Sequence, residues 1–267
     1  MHRRRAVLAV GLILMATGSA VSQTTHTVGQ GGGYDFGSIQ AAIDAAADGD
    51  TVIVHPGTYF ENIHFEGKNI TLRSTAPSDR SVVAGTIING RGLRATITFA
   101  GTELSTCVLA GFSVLNGYGG VSGNRTKATI QDNVIRGSNG IGVTQCNGTI
   151  QRNVIADNTA SERAGGLYAC GGVISDNTIT GNFVQYGGGG LAQCHGTIKS
   201  NRISENMTYH DGGGLANCSA KILNNDITGN LALRGGGLWQ CKGLIHSNTI
   251  SENEAEGSGG GAAGCDG

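Results

Sequence analysis

The sequence predicts an all-β solenoid, a coil of short parallel strands in which like residues stack on like. Three observations predict it. A unit recurs through the second half of the chain, reading G-G-G-L-x-x-C, a few variable residues, then I-x-x-N-x-I-x-x-N and a short variable segment; GGGLANCSAKILNNDITGN, from Gly212 to Asn230, is one copy. The period is fixed. The first Ile falls at Ile150, Ile174, Ile198, Ile222 and Ile245, and the Cys at Cys146, Cys170, Cys194, Cys218, Cys241 and Cys265. A constant step of this length is the signature of a repeat architecture. Finally, 47 Gly interrupt short runs of β-branched residues, a composition that suits strands and breaks helices.

One copy holds too few large apolar residues to bury a core, so copies must cover one another. Stacked at the inter-strand distance of about 4.8 Å, the Ile positions become inward ladders, each Ile contributing roughly 1.5–3 kcal/mol. The Asn columns, Asn153 to Asn248 and Asn158 to Asn253, are expected at the bends, where Asn tolerates left-handed backbone and bonds to main chain. Glycine clusters supply positive φ or close backbone approach. This repeat resembles the right-handed parallel β-helix proteins of the pectin-lyase-like group. The resemblance implies a right-handed parallel β-helix with a short N-terminal capping helix. It implies no single activity, because one scaffold of this kind carries many.

Along the chain, residues 1–22 read as a secretory signal peptide. Three arginines precede an apolar run from Ala6 to Ala16 and then small residues, with cleavage expected after Ala20 or Ser22. The implied location is secreted, periplasmic or at the cell surface, with no membrane span in the mature chain. Residues 23–75 form the cap and first coil. Ser38 caps a helix reaching about Ala47, with Ile39, Ala42 and Ile43 on its apolar face. Strands are expected over 51–55 and 69–72, with a turn at Pro56-Gly57. SIQAAIDAA, GDTVIVHPGTYFENI and KNITLRS resemble the opening segment of pectin methylesterases and of uncharacterised bacterial β-helix proteins; in those families the segment is structural, so the resemblance implies that His55, Glu61 and His64 are structural or solvent-exposed. Residues 76–129 form less regular early coils, with strands expected over 84–89, 95–99 and 107–115 and Phe112 where Asn later stands. Residues 130–267 are the regular coils. The sequence stops part-way through a coil, so further coils, or another protein at the open C-terminal coil, are expected.

Charge is balanced: 18 Lys and Arg against 19 Asp and Glu. No basic field points to nucleic acid. Six of the seven Cys share one position per coil. Strict alternation would turn them outward, so a bend must intervene if they form a buried thiol ladder; a soft-metal track is the alternative, although no His accompanies them. No cofactor is implied.

Function is sought where copies differ. The segment between the second Asn and the Gly cluster reads TASERA, FVQY, MTYHD, LALR and EAEGS in successive coils. Read as stacked loops, it makes a ridge bearing Glu162, Arg163, Gln185, Tyr186, Tyr209, His210, Asp211, Arg234 and Glu254. Tyr168 and Trp239 stand beyond the Gly cluster where intervening coils have Ala. Aromatic rings, guanidinium groups and carboxylates along a shallow surface suit polysaccharide. The candidate binding residues are therefore Arg163, Tyr168, Tyr186, Tyr209, His210, Asp211, Arg234 and Trp239. A second column, Asp132, Arg152, Asp176 and Ser200, is either a surface ion-pair ladder or the acidic-plus-Arg surface of a calcium-dependent polysaccharide lyase. Neither the esterase motifs nor a nucleophile elbow occurs in the later coils. The readings left open are a non-catalytic binder of polysaccharide or another surface polymer, a lyase acting on uronate polymers, and a structural or adhesion module of a larger surface protein.

Overall fold

The computed structural model describes residues 23–266, so the expected signal peptide lies outside the described residues. The chain winds as a parallel β-solenoid. Its strands stack into four sheets of ten, nine, nine and five strands. One late coil shows the order: Thr149–Gln151 lies in the first sheet, Val154–Ala156 in the second, Thr159–Ala164 in the five-stranded ridge sheet, and Leu167–Tyr168 in the third. The next coil begins at Val173 in the first sheet again.

The expected ladders are present. Ile130, Ile150, Ile174, Ile198, Ile222 and Ile245 are consecutive partners in the first sheet. Ile135, Ile155, Ile179, Ile203 and Ile227 are partners in the second. Val143, Leu167, Leu191, Leu215 and Leu238 complete the interior from the third. All of these but Ile245 are buried.

Each corner uses one device. A single residue adopts left-handed backbone, and the next side chain turns inward. Asp132, Arg152, Asp176 and Ser200 hold φ between 54° and 58° ahead of Asn133, Asn153, Asn177 and Asn201. Gln145, Ala169, Gln193 and Asn217 hold φ between 52° and 54° ahead of the cysteines. The left-handed residue is therefore the one before each Asn, which corrects the expectation that Asn itself would take that conformation. Asn is retained for its amide. In the interior, Asn177 donates from its backbone N and its Nδ2 to Asn201 Oδ1 (both 3.0 Å) and from Nδ2 to the Ile150 carbonyl (2.9 Å). The same pattern repeats from Asn153 to Asn248 and from Asn158 to Asn253.

The bend ahead of each Cys is the one that a buried thiol ladder needs. Cys146 to Cys241 are fully buried and Cys265 partly so; all seven cysteines are unpaired. Each ladder thiol lies 3.5–3.6 Å from the carbonyl two residues before it, the place that an Asn amide takes at the other corners. Among the described residues no cluster of three or more His, Cys, Asp or Glu has metal-ligand geometry. Burial pushes the Cys107 thiol up to about 12.

The early coils lack the ridge sheet. Their cap is the expected helix, Ile39–Ala45, with Ser38 Oγ accepting from Ala41 N (3.2 Å). Glu61 accepts from the Ile39 and Gln40 amides at that helix start (2.9 Å each), a structural role, and the His55 ring lies 4.6 Å from that of Tyr34. Phe65 and Phe99 stack at 4.3 Å inside the third corner. Residues 76–129 join the same sheets through Thr86–Asn89, Ala95–Thr98, Val108–Ala110 and Ser113–Leu115. Their irregularity lies in the connections. A helix, Arg80–Gly85, takes Ala84, which the sequence assigned to a strand; Asp79 Oδ1 caps it by accepting from Ser81 N at 2.8 Å.

Candidate binding groove

The variable segments expected as loops are strands. Thr159–Ala164, Phe183–Gly188, Met207–Thr208, Leu231–Arg234 and Glu254–Ser258 form the ridge sheet. Their inward column is small or β-branched: Ala160, Val184, Thr208 and Ala232 are buried. The outward positions, free of packing demands, carry the residues that differ from coil to coil.

A cleft of about 200 Å³ lies where this ridge meets the outer face of the third sheet. Its floor is small, with Gly187, Gly188, Ala192 and Ala216. A Cβ on Gly188 would meet the Ala216 Cβ at 2.9 Å, so the backbone approach there requires glycine. Arg163, Tyr186, His210, Asp211 and Trp239 line the cleft. Arg234 belongs to the same wall. Its Nε and Nη2 hold the two oxygens of Asp211 at 2.8 and 2.7 Å, and its guanidinium lies 4.3 Å from the centre of the Trp239 ring. At the other end Arg163 lies 5.4 Å over the Tyr168 ring, and Tyr168 Oη donates to Gln193 Oε1 (3.0 Å). Tyr168, Ala192, Ala216 and Trp239 are consecutive partners in the third sheet. Two aromatic rings thus bracket two alanines, three steps or roughly 14 Å apart.

The structure brings together seven of the eight candidates. Tyr209 is the exception: it is 62% exposed, sits edge-on against Phe183 at 5.1 Å, and does not line the cleft. His210 reaches both Asp211, with Nδ1 at 3.4 Å from Oδ2, and the edge of Tyr186.

A second hollow of about 300 Å³ continues the cleft upstream, and Arg163 belongs to both. It is lined by Tyr118, Ser122, Asn139, Thr144 and Glu162 among others. Together the two hollows run along the third sheet from the rung of Ala95 to that of Trp239, six steps or roughly 29 Å. Sequence reasoning missed Tyr118, although a signal was there. Tyr118 follows Asn116-Gly117, at the end of a segment already aligned with the repeat, and stands just ahead of a glycine pair.

The Asp132, Arg152 and Asp176 column lines a separate hollow of about 750 Å³, walled by the helix Arg80–Gly85. Arg152 Nε and Nη2 occupy both Asp132 oxygens, at 2.8 and 2.9 Å. Arg152 thus already neutralises the Asp132 carboxylate. The pair is half exposed on the Arg152 side, and such pairs contribute about 0–1 kcal/mol.

No protein-family model matches the sequence, and neither does any curated protein. Among solved structures the chain is similar to two of the pectin methylesterase from Aspergillus niger, one deglycosylated and one penultimately deglycosylated. Each is 15% identical over 92% of this chain and 87% of that one, with TM-scores of 0.31 and 0.34. At that similarity neither the activity nor the substrate of that enzyme transfers to this chain.

Proposed function

We propose that this protein is an exported, non-catalytic binder of polysaccharide, and that a glycan chain lies along the groove between the ridge sheet and the third sheet. The observation that carries this reading is the pair of rings, Tyr168 and Trp239, standing at the two ends of a floor of Gly and Ala. Sugar rings stack on aromatic faces, and a small-residue floor lets the chain come close to the backbone. The bidentate Asp211–Arg234 pair fixes the guanidinium on Trp239 and so holds the downstream wall rigid. Binding is favoured over a lyase because Arg152 already neutralises Asp132 in the acidic column, whereas the paired rings and small-residue floor of the groove suit a glycan without any chemistry. The export part of the reading rests on the character of residues 1–22.

The test is affinity electrophoresis of the protein through gels containing individual soluble polysaccharides. Retardation by at least one glycan, relieved by Trp239→Ala, is expected. Free migration of the folded protein in every gel contradicts the proposal. Release of unsaturated or de-esterified products from pectate, alginate or pectin would replace it with an enzymatic reading.

A further inference from the structure

The groove's charge pattern restricts its ligand. Four fixed charges border its two hollows, Glu162 and Asp211 against Arg163 and Arg234, and they cancel. One of the two cations is unavailable: both Asp211 oxygens are bound to Arg234, whose face is turned to Trp239. The other, Arg163, follows Glu162 in the chain and lines the upstream hollow beside it. Arg94, whose carbonyl accepts from Tyr118 N (2.8 Å), stands on the first rung beside the lining residues, and Arg91 lies over Phe60 at 4.4 Å. Besides His210, the remaining polar lining comprises amides and hydroxyls such as Ser122, Asn139, Thr144, Gln193 and Asn217.

A polyanionic glycan carries a charge on nearly every sugar. Along roughly 29 Å it would need several uncompensated cations, and desolvating its carboxylates against a wall with no net positive charge would be unfavourable. Hydroxyl groups are what amides, hydroxyls and ring faces serve well. We propose that the groove selects an uncharged glycan, with the Glu162 carboxylate excluding acidic chains. This rests on the groove being a polysaccharide site, as proposed above, and adds the chemical class of the ligand.

Neutral and acidic chains, with hydroxyethylcellulose and carboxymethylcellulose sharing one backbone, test it. Affinity for hydroxyethylcellulose, xyloglucan and galactomannan is measured against carboxymethylcellulose, polygalacturonate and alginate, at 50 and 500 mM NaCl. The expected result is binding to a neutral chain at least tenfold tighter than to any acidic one, unchanged by salt, with Glu162→Gln raising affinity for the acidic chains severalfold. Tighter binding to an acidic chain, weakened by salt, overturns the selectivity while leaving a glycan-binding groove. Binding to none of the six by the folded protein overturns both. An acidic chain that gains nothing from Glu162→Gln removes that carboxylate from the account of selectivity.

Discussion

Two stacks of residues run side by side through the late coils and follow opposite rules. Inside, Asn153, Asn177, Asn201 and Asn225 hand one hydrogen-bond pattern from coil to coil. Outside, the ridge sheet pairs Arg163 with Gly187 and Glu162 with Tyr186, so that unlike side chains follow one another along the groove. Both stacks are β-sheet, so backbone hydrogen bonding does not separate them. What separates them is burial. An interior side chain must satisfy every polar group with its neighbours above and below, and only an identical partner does this in each coil. An outward side chain answers to solvent or ligand and is free to vary. Sameness therefore marks the scaffold, and difference marks the groove.

Breaking the inner stack should cost most. Asn177→Ala leaves the buried Asn153 backbone N–H without its acceptor and removes one hydrogen bond each from Asn153 Nδ2, which keeps the Ile130 and Gln151 carbonyls, and from the Ile150 carbonyl. At about 1–3 kcal/mol for each buried unsatisfied group, the unfolding midpoint in guanidinium should fall steeply. The exposed Arg202→Ala, on ordinary strand backbone in the next coil, should change stability by less than about 0.5 kcal/mol. Equal effects would erase the distinction between the stacks.

The buried thiols sharpen it by pH. Cys107 is raised to about 12 from 9.0 because burial penalises the thiolate. The unfolded chain loses this proton first, so the stabilisation is full below pH 9 and is lost as pH rises toward 12. The loss should run at roughly 1.4 kcal/mol per pH unit. Cys107→Ala should flatten that alkaline decline in chemical denaturation; an unchanged slope would contradict the assignment. By the same burial, native thiols should react slowly with a bulky disulfide reagent, Cys265 first.

The outer stack should respond in binding and not in stability. Trp239→Ala should weaken glycan affinity roughly tenfold, the loss of one stacking platform, with the unfolding midpoint moved little. Tyr209→Ala should do neither, because that ring lies edge-on to Phe183 outside the cleft. A loss at Tyr209 equal to that at Trp239 would move the ligand to the crest of the ridge.

The scaffold was legible in the sequence because its columns repeat. Period, Ile ladders and the capping helix all follow from spacing and polarity, whereas the inward direction of the Cys needed the left-handed bend ahead of each of them. Which residue of each corner turns left-handed was not legible, because Asp, Arg, Ser, Gln and Ala all fill that place and no type marks it. The strand character of the ridge was hidden too. MTYHD and LALR share no residue, and only their alignment on neighbouring coils pairs Met207 with Leu231. The groove was half legible: the downstream wall stood out as departures from the repeat. Tyr118, Ser122 and Asn139 lie in coils too irregular for a departure to show.

Trp239 is the one tryptophan of the sequence, and it stands in the cleft under Arg234. Its fluorescence therefore reports the groove directly. Titration with a neutral glycan that retards the protein should give a saturable change in intensity or emission maximum, with the same affinity in Tyr209→Ala and a weaker one in Arg163→Ala. Binding of that glycan with an unaltered Trp239 signal would place the ligand elsewhere and contradict the groove.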